Sequence, residues 1–194
     1  MGRPLQPRRH SMPAEGGEII IVRSLADSDM GLFSAHRAAA TSKQRAIALT
    51  TRMARELLSS TLFAGGGAEM DCICLFGSVT NRESRHIGKV GKNWRLGGSQ
   101  IVGAEFAALD SKDFALIRSV RYNDGTSPIM ITFVGRHAQR FIQAGLAAAL
   151  AEKLDQSVAI FGEDSDIFDE LAEIFPPIPA RVAIRRAVLQ TAFL

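Results

Sequence analysis

The sequence predicts a mainly β domain, a barrel or sandwich of about seven short strands with one or two short helices. After this domain in the sequence we expect a helical extension, which would make the chain α+β overall. Runs rich in β-branched residues recur a few residues apart as far as residue 134, with a single short helical pattern between them. From residue 137 the apolar residues follow a helical period. A parallel doubly wound sheet would need crossover helices that this order lacks.

The strands are justified by their composition and by the turns between them. Each is a run of β-branched or alternating apolar residues: Glu18–Leu25, Arg45–Leu49, Asp71–Phe76, Asn93–Leu96, Phe114–Val120 and Ile129–Val134. The turn at residues 123–125, Asn-Asp-Gly, predicts a hairpin from the last two runs. Thr50 or Thr51 can cap a short helix at Arg52–Ser60, because a hydroxyl accepts a backbone N–H of the first helical turn.

The last third of the chain predicts further elements. An apolar stripe from Phe141 to Leu154 predicts a helix. A short strand is predicted at Val158–Phe161, and an acidic helix at Asp166–Phe175, where three prolines end it. Residues 180–194 are predicted to form a last helix, which packs on its own domain or docks a partner. We therefore expect a disordered basic arm at residues 1–17, a barrel at 18–135 and a helical extension at 136–194.

Composition favours a soluble protein with a real core, since 46% of residues are hydrophobic and 22% are charged. The longest uncharged runs, Leu57–Ala68 and Phe141–Ala151, are too short to cross a bilayer, so we expect no membrane partner. The N-terminal residues lack the apolar core of an export signal, which favours a cytoplasmic location. The net charge of +3 conceals eight acidic residues against one lysine in residues 144–175, so the positive excess lies earlier in the chain.

The densest cationic stretch is Val79–Gly98. Glu83 is its single carboxylate, and it holds the only tryptophan of the chain, Trp94. Because isolated buried charges are costly, we expect a surface ribbon that binds a polyanion, with Trp94 packed in the barrel beneath it. Its cationic side chains are Arg82, Arg85, His86, Lys89, Lys92 and Arg95.

Patterns for catalysis are weaker. A metal-dependent nuclease needs clustered carboxylates, for which Glu105, Asp110 and Asp113 are the nearest candidates. Cys72 and Cys74 point to the same face of a strand, where we expect small buried apolar side chains away from any cation that would lower a thiol pKa. The histidines have no metal-type spacing. We therefore predict no catalytic residue, metal or cofactor as the leading interpretation.

Four pieces of the chain carry a resemblance to a known family. In order they read IIVRSLADSDM, AIALTTRMAREL, KNWRL and FAALDSKDFALI, at Ile20–Met30, Ala46–Leu57, Lys92–Leu96 and Phe106–Ile117. In order and spacing, residues 19–134 resemble the B-three-type DNA-binding pseudobarrel, found in plant transcription factors and in the effector or recognition domains of EcoRII- and BfiI-type restriction endonucleases. The resemblance implies a seven-stranded open pseudobarrel. Residues 135–194 lie outside it and do not read as an endonuclease domain, which is a departure from the restriction enzymes, where a separate domain cuts.

The resemblance also implies two arms that grip the DNA major groove. By position, the first arm falls in Ser34–Arg45 and the second in Asn81–Arg95. Arginine, lysine, asparagine and glutamine can contact base edges or phosphates. The implied DNA-binding residues are His36, Arg37, Ser42, Lys43, Gln44 and Arg45 in the first arm, and Asn81, Arg82, Ser84, Arg85, His86, Lys89, Lys92, Asn93 and Arg95 in the second.

Three functions follow for testing. The leading one is a double-stranded DNA-binding protein that recognises a specific or modified sequence, as a component of a prokaryotic restriction or antiviral defence system. In that case residues 136–194 would mediate self-association or docking to an effector subunit. The alternatives are the small metal-dependent nuclease and a protein interaction module with an acidic C-terminal face.

Overall fold

The computed structural model describes residues 17–38, 44–76, 79–120, 129–136, 138 and 157–175, with the side chains of 75, 76, 79–81 and 120 left aside. The predicted arm at residues 1–16, the turn at 123–125, the helix at 141–154 and the helix at 180–194 lie outside the described residues.

The described residues form one open, strongly curled sheet, which confirms the mainly β prediction. The order across the sheet is β2-β5-β4-β3-β7-β6-β1-β8, eight strands rather than the predicted seven. β8 agrees with the short strand predicted at Val158–Phe161 in the extension, but it belongs to the same sheet as the other strands, and β4 is the strand that the sequence did not reveal. The strands are β1 Glu18–Ser24, β2 Ala46–Leu49, β3 Gly67–Phe76, β4 Val79–Val90, β5 Asn93–Gly97, β6 Phe114–Val120, β7 Ile129–Val134 and β8 Val158–Gly162.

The described helices are short. The predicted helix at Arg52–Ser60 is observed as α1 Thr51–Leu57 followed by α2 Ser60–Ala64. Thr50 is the N-cap of α1, and its Oγ1 accepts the backbone N–H of Met53 at 3.1 Å. The acidic helix, α3, spans Phe168–Ile174. Three short 3-10 helices complete the set, at Asp27–Leu32, Ser34–His36 and Ala104–Ala108.

An ion pair connects β2, one end strand of the curled sheet, with β1, the strand next to the other end. Asp29 is completely buried, and its carboxylate accepts hydrogen bonds from Arg23 Nη2 of β1 at 2.7 Å and from the backbone N–H of Ala48 in β2 at 3.0 Å. Arg23 Nη1 donates to the carbonyl of Ala48. Burial lowers the pKa of Arg23, and the charge of Asp29 opposes that shift. The Arg23–Asp29 pair thus stands where a further strand would bond to β2.

Two apolar clusters lie on opposite faces of the sheet. The inner one fills the curl with residues from β1 to β7, together with α1 and the 3-10 helices. Trp94 belongs to it and stacks on Phe63 with ring centroids 4.7 Å apart, which confirms that this tryptophan packs beneath the ribbon. The outer cluster packs α3 against β1, β6, β7 and β8. Apolar burial on both faces explains why β1 reads as a continuous run, Ile19 to Val22.

The described part of the expected extension is bound to this sheet. β8 pairs antiparallel with β1 over Ile19–Arg23, and α3 buries Phe168, Leu171 and Ile174. Around these apolar residues lie six carboxylates, with no lysine or arginine in residues 157–175. They are Glu163, Asp164, Asp166, Asp169, Glu170 and Glu173. An interaction role for this acidic face stays a prediction.

Candidate nucleic-acid interface

The predicted second arm is a long antiparallel hairpin, which we call the basic hairpin and define as β4 and β5, residues 79–97. β4 pairs with β3 along ten residues and with β5 from His86 to Val90. The two-residue turn after Val90 begins at Gly91, whose φ of 62° suits a tight hairpin loop. The cationic stretch is therefore regular strand for most of its length, and the expectation of a loose surface ribbon is corrected.

The outward face of β4 is already paired with carboxylates from β3. Arg82 forms a bidentate salt bridge with Asp71, its Nε lying 3.1 Å from Oδ1, and this hydrogen bonding raises the pKa of Arg82. Glu69 accepts a hydrogen bond from Ser84 Oγ at 2.8 Å and lies 3.4 Å from Nδ1 of His86. The sequence of the stretch itself contains Glu83 alone, because the register that brings β3 beside β4 is a long-range feature of the sheet.

Arg85 faces the interior, which corrects its assignment to the exposed arm. Its side chain is 1% exposed, and Nη2 donates to the carbonyl of Ser99 at 2.9 Å and to the carboxylate of Glu83. Among the described residues, Nε and Nη1 have no partner. Gly98 covers the guanidinium so closely that a Cβ there would lie 3.1 Å from Nη1. Arg85 cannot reach DNA without leaving this pocket.

The tip of the basic hairpin carries the cations that are available to bind an anionic partner. Lys89 and Lys92 are exposed and Arg95 is half-buried, and within the described residues none of the three makes a side-chain hydrogen bond or ion pair. Val90 is 53% exposed between them, and Asn93 is exposed across the turn. The side chain of Asn81 is not described. The tip therefore presents three cations and an amide to solvent within seven residues.

The first predicted arm docks on the segment that follows β5. His36 Nε2 lies 2.8 Å from the carbonyl of Phe106, and Arg37 Nη1 donates to Gln100 Oε1 at 3.2 Å. Gln44 Nε2 donates to the carbonyl of Ala46 at 3.2 Å, and Arg45 is exposed. Ser42 and Lys43 lie outside the described residues.

The sheet brings the two arms side by side. β2, which follows the first arm, pairs antiparallel with β5, the returning strand of the second arm, so that Ala46 lies opposite Gly97. Gln100 ties the same region together, because its Nε2 also donates to the carbonyl of Gly31 at 3.2 Å. Arg45, which precedes Ala46, is therefore level with the base of the basic hairpin at Gly97, whereas Lys89 and Lys92 lie near its tip, about 13 Å along the strand.

The candidate nuclease residues have other partners. Asp113 is buried, and its carboxylate accepts the backbone N–H of Asp110 at 2.7 Å and that of Arg136 at 2.8 Å. Asp110 accepts the N–H of Ser111, its neighbour in the turn, at 2.8 Å. Glu105 lies in the 3-10 helix before that turn. The part of the chain that the structure describes holds no group of three metal-ligating side chains, so Asp113 closes a turn here.

The two cysteines are buried on the inward face of β3, as expected of small apolar side chains. Their surroundings differ from the sequence prediction, because the charge of Arg85 lies close enough to act on the pKa of both thiols. The sequence could not reveal this neighbour, since it comes from β4 and its charge favours a place at the surface.

Comparison with solved structures finds similar folds, of which one is a restriction endonuclease domain. A crystal structure of the B3 domain of the UbaLAI restriction endonuclease with cognate DNA is similar at a TM-score of 0.45 and 9% identity, covering 75% of this chain and 87% of that chain. No protein-family model and no curated protein sequence matches the chain. Within the described residues, no helix has the length and apolar character needed to cross a membrane.

Proposed function

We propose that this protein binds double-stranded DNA through the tip of the basic hairpin, together with exposed cations of the first arm. The observation that carries the proposal is the division of cations within one hairpin. Arg82 and His86 face carboxylates of β3, whereas Lys89, Lys92 and Arg95 have no side-chain partner within the described residues. A cation without a partner gives up only water and counterions when it meets a phosphate.

The chemistry of the tip suits a duplex. Lysine and arginine contact phosphates and fix the register of a protein on DNA, while an amide such as that of Asn93 can pair with base edges in the major groove. A two-stranded ribbon is narrow enough to enter that groove. The proposal therefore assigns phosphate contacts to Lys89, Lys92, Arg95 and Arg45, and a base contact to the amide of Asn93.

The proposal also has a more specific part. The protein would recognise a specific or modified DNA sequence, and it would belong to a prokaryotic restriction or defence system. Both claims are supported by the resemblance of residues 19–134 to the B-three-type family. They are also supported by the adjacency of the two arms at β2 and β5. Self-association or docking to an effector subunit through residues 136–194 belongs to the same part.

Fluorescence anisotropy across a salt series tests the DNA proposal. The variant Lys89→Ala/Lys92→Ala/Arg95→Ala should reduce the slope of log affinity against log salt by about 0.9 for each phosphate that the protein no longer neutralises. The matched control Arg82→Gln removes a cation that Asp71 already neutralises, so it should change the slope by well under one such step. Duplex, methylated duplex, single-stranded DNA and RNA are compared in the same buffer.

Two outcomes would contradict the proposal. If the triple variant kept the affinity and slope of the original protein, the tip would not be the contact surface. If Arg82→Gln lowered the slope as much as one of the tip substitutions alone, the division between paired and unpaired cations would have no functional meaning.

A further inference from the structure

Cys72 and Cys74 lie side by side inside the sheet, directly beneath the basic hairpin. Their Sγ atoms are 3.9 Å apart, and both side chains are buried. They are the only cysteines of the chain. In the β3–β4 register Cys72 lies opposite Glu83, which forms the ion pair with Arg85, and the charges of both act on the two thiols. The pair therefore borders the buried Arg85 pocket.

The two thiols are not equivalent. A hydrogen bond from Cys72 lowers the pKa of Cys74, as does the nearby guanidinium of Arg85, although burial and Glu83 act in the opposite direction. The same hydrogen bond and burial raise the pKa of Cys72. Cys74 is therefore the more acidic of the two thiols. A thiolate attacks a peroxide, and a second thiol beside it can then close the disulfide. Because both side chains are buried, the oxidant reaches them when the hairpin opens locally.

Arg85 supplies an independent observation. Its side chain is 1% exposed, yet Nε and Nη1 find no acceptor among the described residues. Buried donors without partners are rare, and they mark a place where an acceptor is missing. An oxygen atom carried by Cys74 would provide that acceptor within the same pocket.

We propose that Cys72 and Cys74 form an oxidisable dithiol, which a hydroperoxide converts to an intrastrand disulfide that releases the basic hairpin from the sheet. Only the effect on DNA rests on the function proposed above. The thiol chemistry stands apart from it.

The reaction balances with one hydroperoxide as the oxidant. The Cys74 thiolate attacks the O–O bond, so an S–O bond forms, the O–O bond breaks, and the departing oxygen takes up a proton to leave as an alcohol or water. Cys72 then attacks the Cys74 sulfur, the S–O bond breaks, and hydroxide leaves with the Cys72 proton as water. Two electrons pass from the thiols to the peroxide.

Closing the disulfide must bend β3. Residues two apart on a strand have Cα atoms about 6.6 Å apart, while disulfides favour about 5.5–6 Å. The bend falls at Ile73, which pairs with Arg82 of β4 on one side and Met130 of β7 on the other. Both ladders weaken there, and β4 is the strand that carries the basic hairpin. A strained disulfide is also easily reduced, which makes the change reversible.

Intact-mass spectrometry of the full-length reduced protein after hydrogen peroxide treatment tests the thiol step. We expect the loss of two hydrogen atoms from the monomer, which identifies the disulfide because the chain has two cysteines. Cys72→Ser should stop at one added oxygen on Cys74, trapped by a sulfenic acid reagent. Cys74→Ser should react more slowly, because Arg85 acts on Cys74 through a hydrogen bond as well as through its charge, and on Cys72 through its charge alone. Circular dichroism checks that each variant is folded.

One result of the peroxide experiment would overturn the thiol proposal. If the folded protein resists peroxide while the urea-unfolded protein reacts, and both single variants behave alike, the cysteines are inert core side chains and the proposal is overturned.

The rate of amide hydrogen exchange in residues 82–90 measures release of the hairpin in the absence of DNA. Oxidation should accelerate exchange there, and dithiothreitol should restore protection. Unchanged protection in the disulfide form would overturn the proposed release of the hairpin.

Oxidation should also weaken DNA binding about tenfold or more, within the usual range of coupling between sites. The Cys72→Ser/Cys74→Ser variant should bind equally with and without peroxide. If the reduced protein binds no DNA, the function proposed above fails while mass and exchange still decide the thiol proposal.

Discussion

The sheet buries two arginines, and their surroundings differ. Arg23 lies between Asp29 and the carbonyl of Ala48, and it joins β1 to β2 across the opening of the curl. Arg85 lies beneath Gly98, bound to Glu83 and the carbonyl of Ser99. Within the described residues two of its nitrogens have no partner, against Nε alone in Arg23. The partner of Arg23 is completely buried and also bonds to β2, whereas the partner of Arg85 is 15% exposed, so the two pairs should differ in their contribution to stability.

The largest effect should come from breaking the first pocket. Asp29→Ala leaves the Arg23 charge buried and removes the acceptor of the N–H groups of Ala26 and Ala48. Loss of one partner of a buried ion pair costs about 3–5 kcal/mol. Urea unfolding followed by circular dichroism measures this free energy, and a loss below about 1 kcal/mol would show that the pair does not hold the curl closed.

A smaller effect is expected above the second pocket. Gly98→Ala places a Cβ 3.0 Å from Cγ of Arg85, at a φ of 157° that L side chains rarely adopt, so the arginine or the loop must shift. Overpacking of this kind costs about 1–3 kcal/mol. The same urea titration measures it, with Gly91→Ala as a comparison at a glycine that has open space around it but a positive φ. An unchanged midpoint for Gly98→Ala would mean that the Arg85 pocket is loose.

The smallest effect should follow Arg85→Met. Methionine fills a similar volume without charge, and the remaining Glu83 is near enough to the surface to be hydrated. Removing one partner of a fully buried pair costs several kcal/mol, but the Glu83 carboxylate is 15% exposed and can be hydrated, so we expect a loss of only about 1 kcal/mol. A destabilisation as large as that of Asp29→Ala would remove the distinction between the two arginines.

Much of the fold could be predicted from the sequence because strands leave local patterns. The bounds of Phe114–Val120 and Ile129–Val134 agree with the observed strands, and Thr50 caps α1 as expected. Pairing between distant segments leaves no such pattern. The length of β4 was missed because a polar strand resembles a loop when its partner, β3, is not known to lie beside it.

The candidate site shows the same limit more sharply. Charge and composition indicated that residues 79–98 are cationic, but not which cations are free. Strand alternation decides that: Arg82, Ser84 and His86 face outward, and Arg85 faces inward. The carboxylates that neutralise Arg82 and His86 lie on β3, so only the register could reveal them. The assignment of DNA contacts to individual residues stays a prediction.

The hydrogen bonds of β2 affect whether copies of this protein associate with one another. A strand at the end of an open sheet offers unpaired N–H and C=O groups, which invite another chain to add on and start aggregation. In β2 the N–H and carbonyl of Ala48 are taken by Asp29 and Arg23, and the carbonyl of Ala46 is taken by Gln44. Side chains from the same molecule thus occupy the positions where a foreign strand would bind.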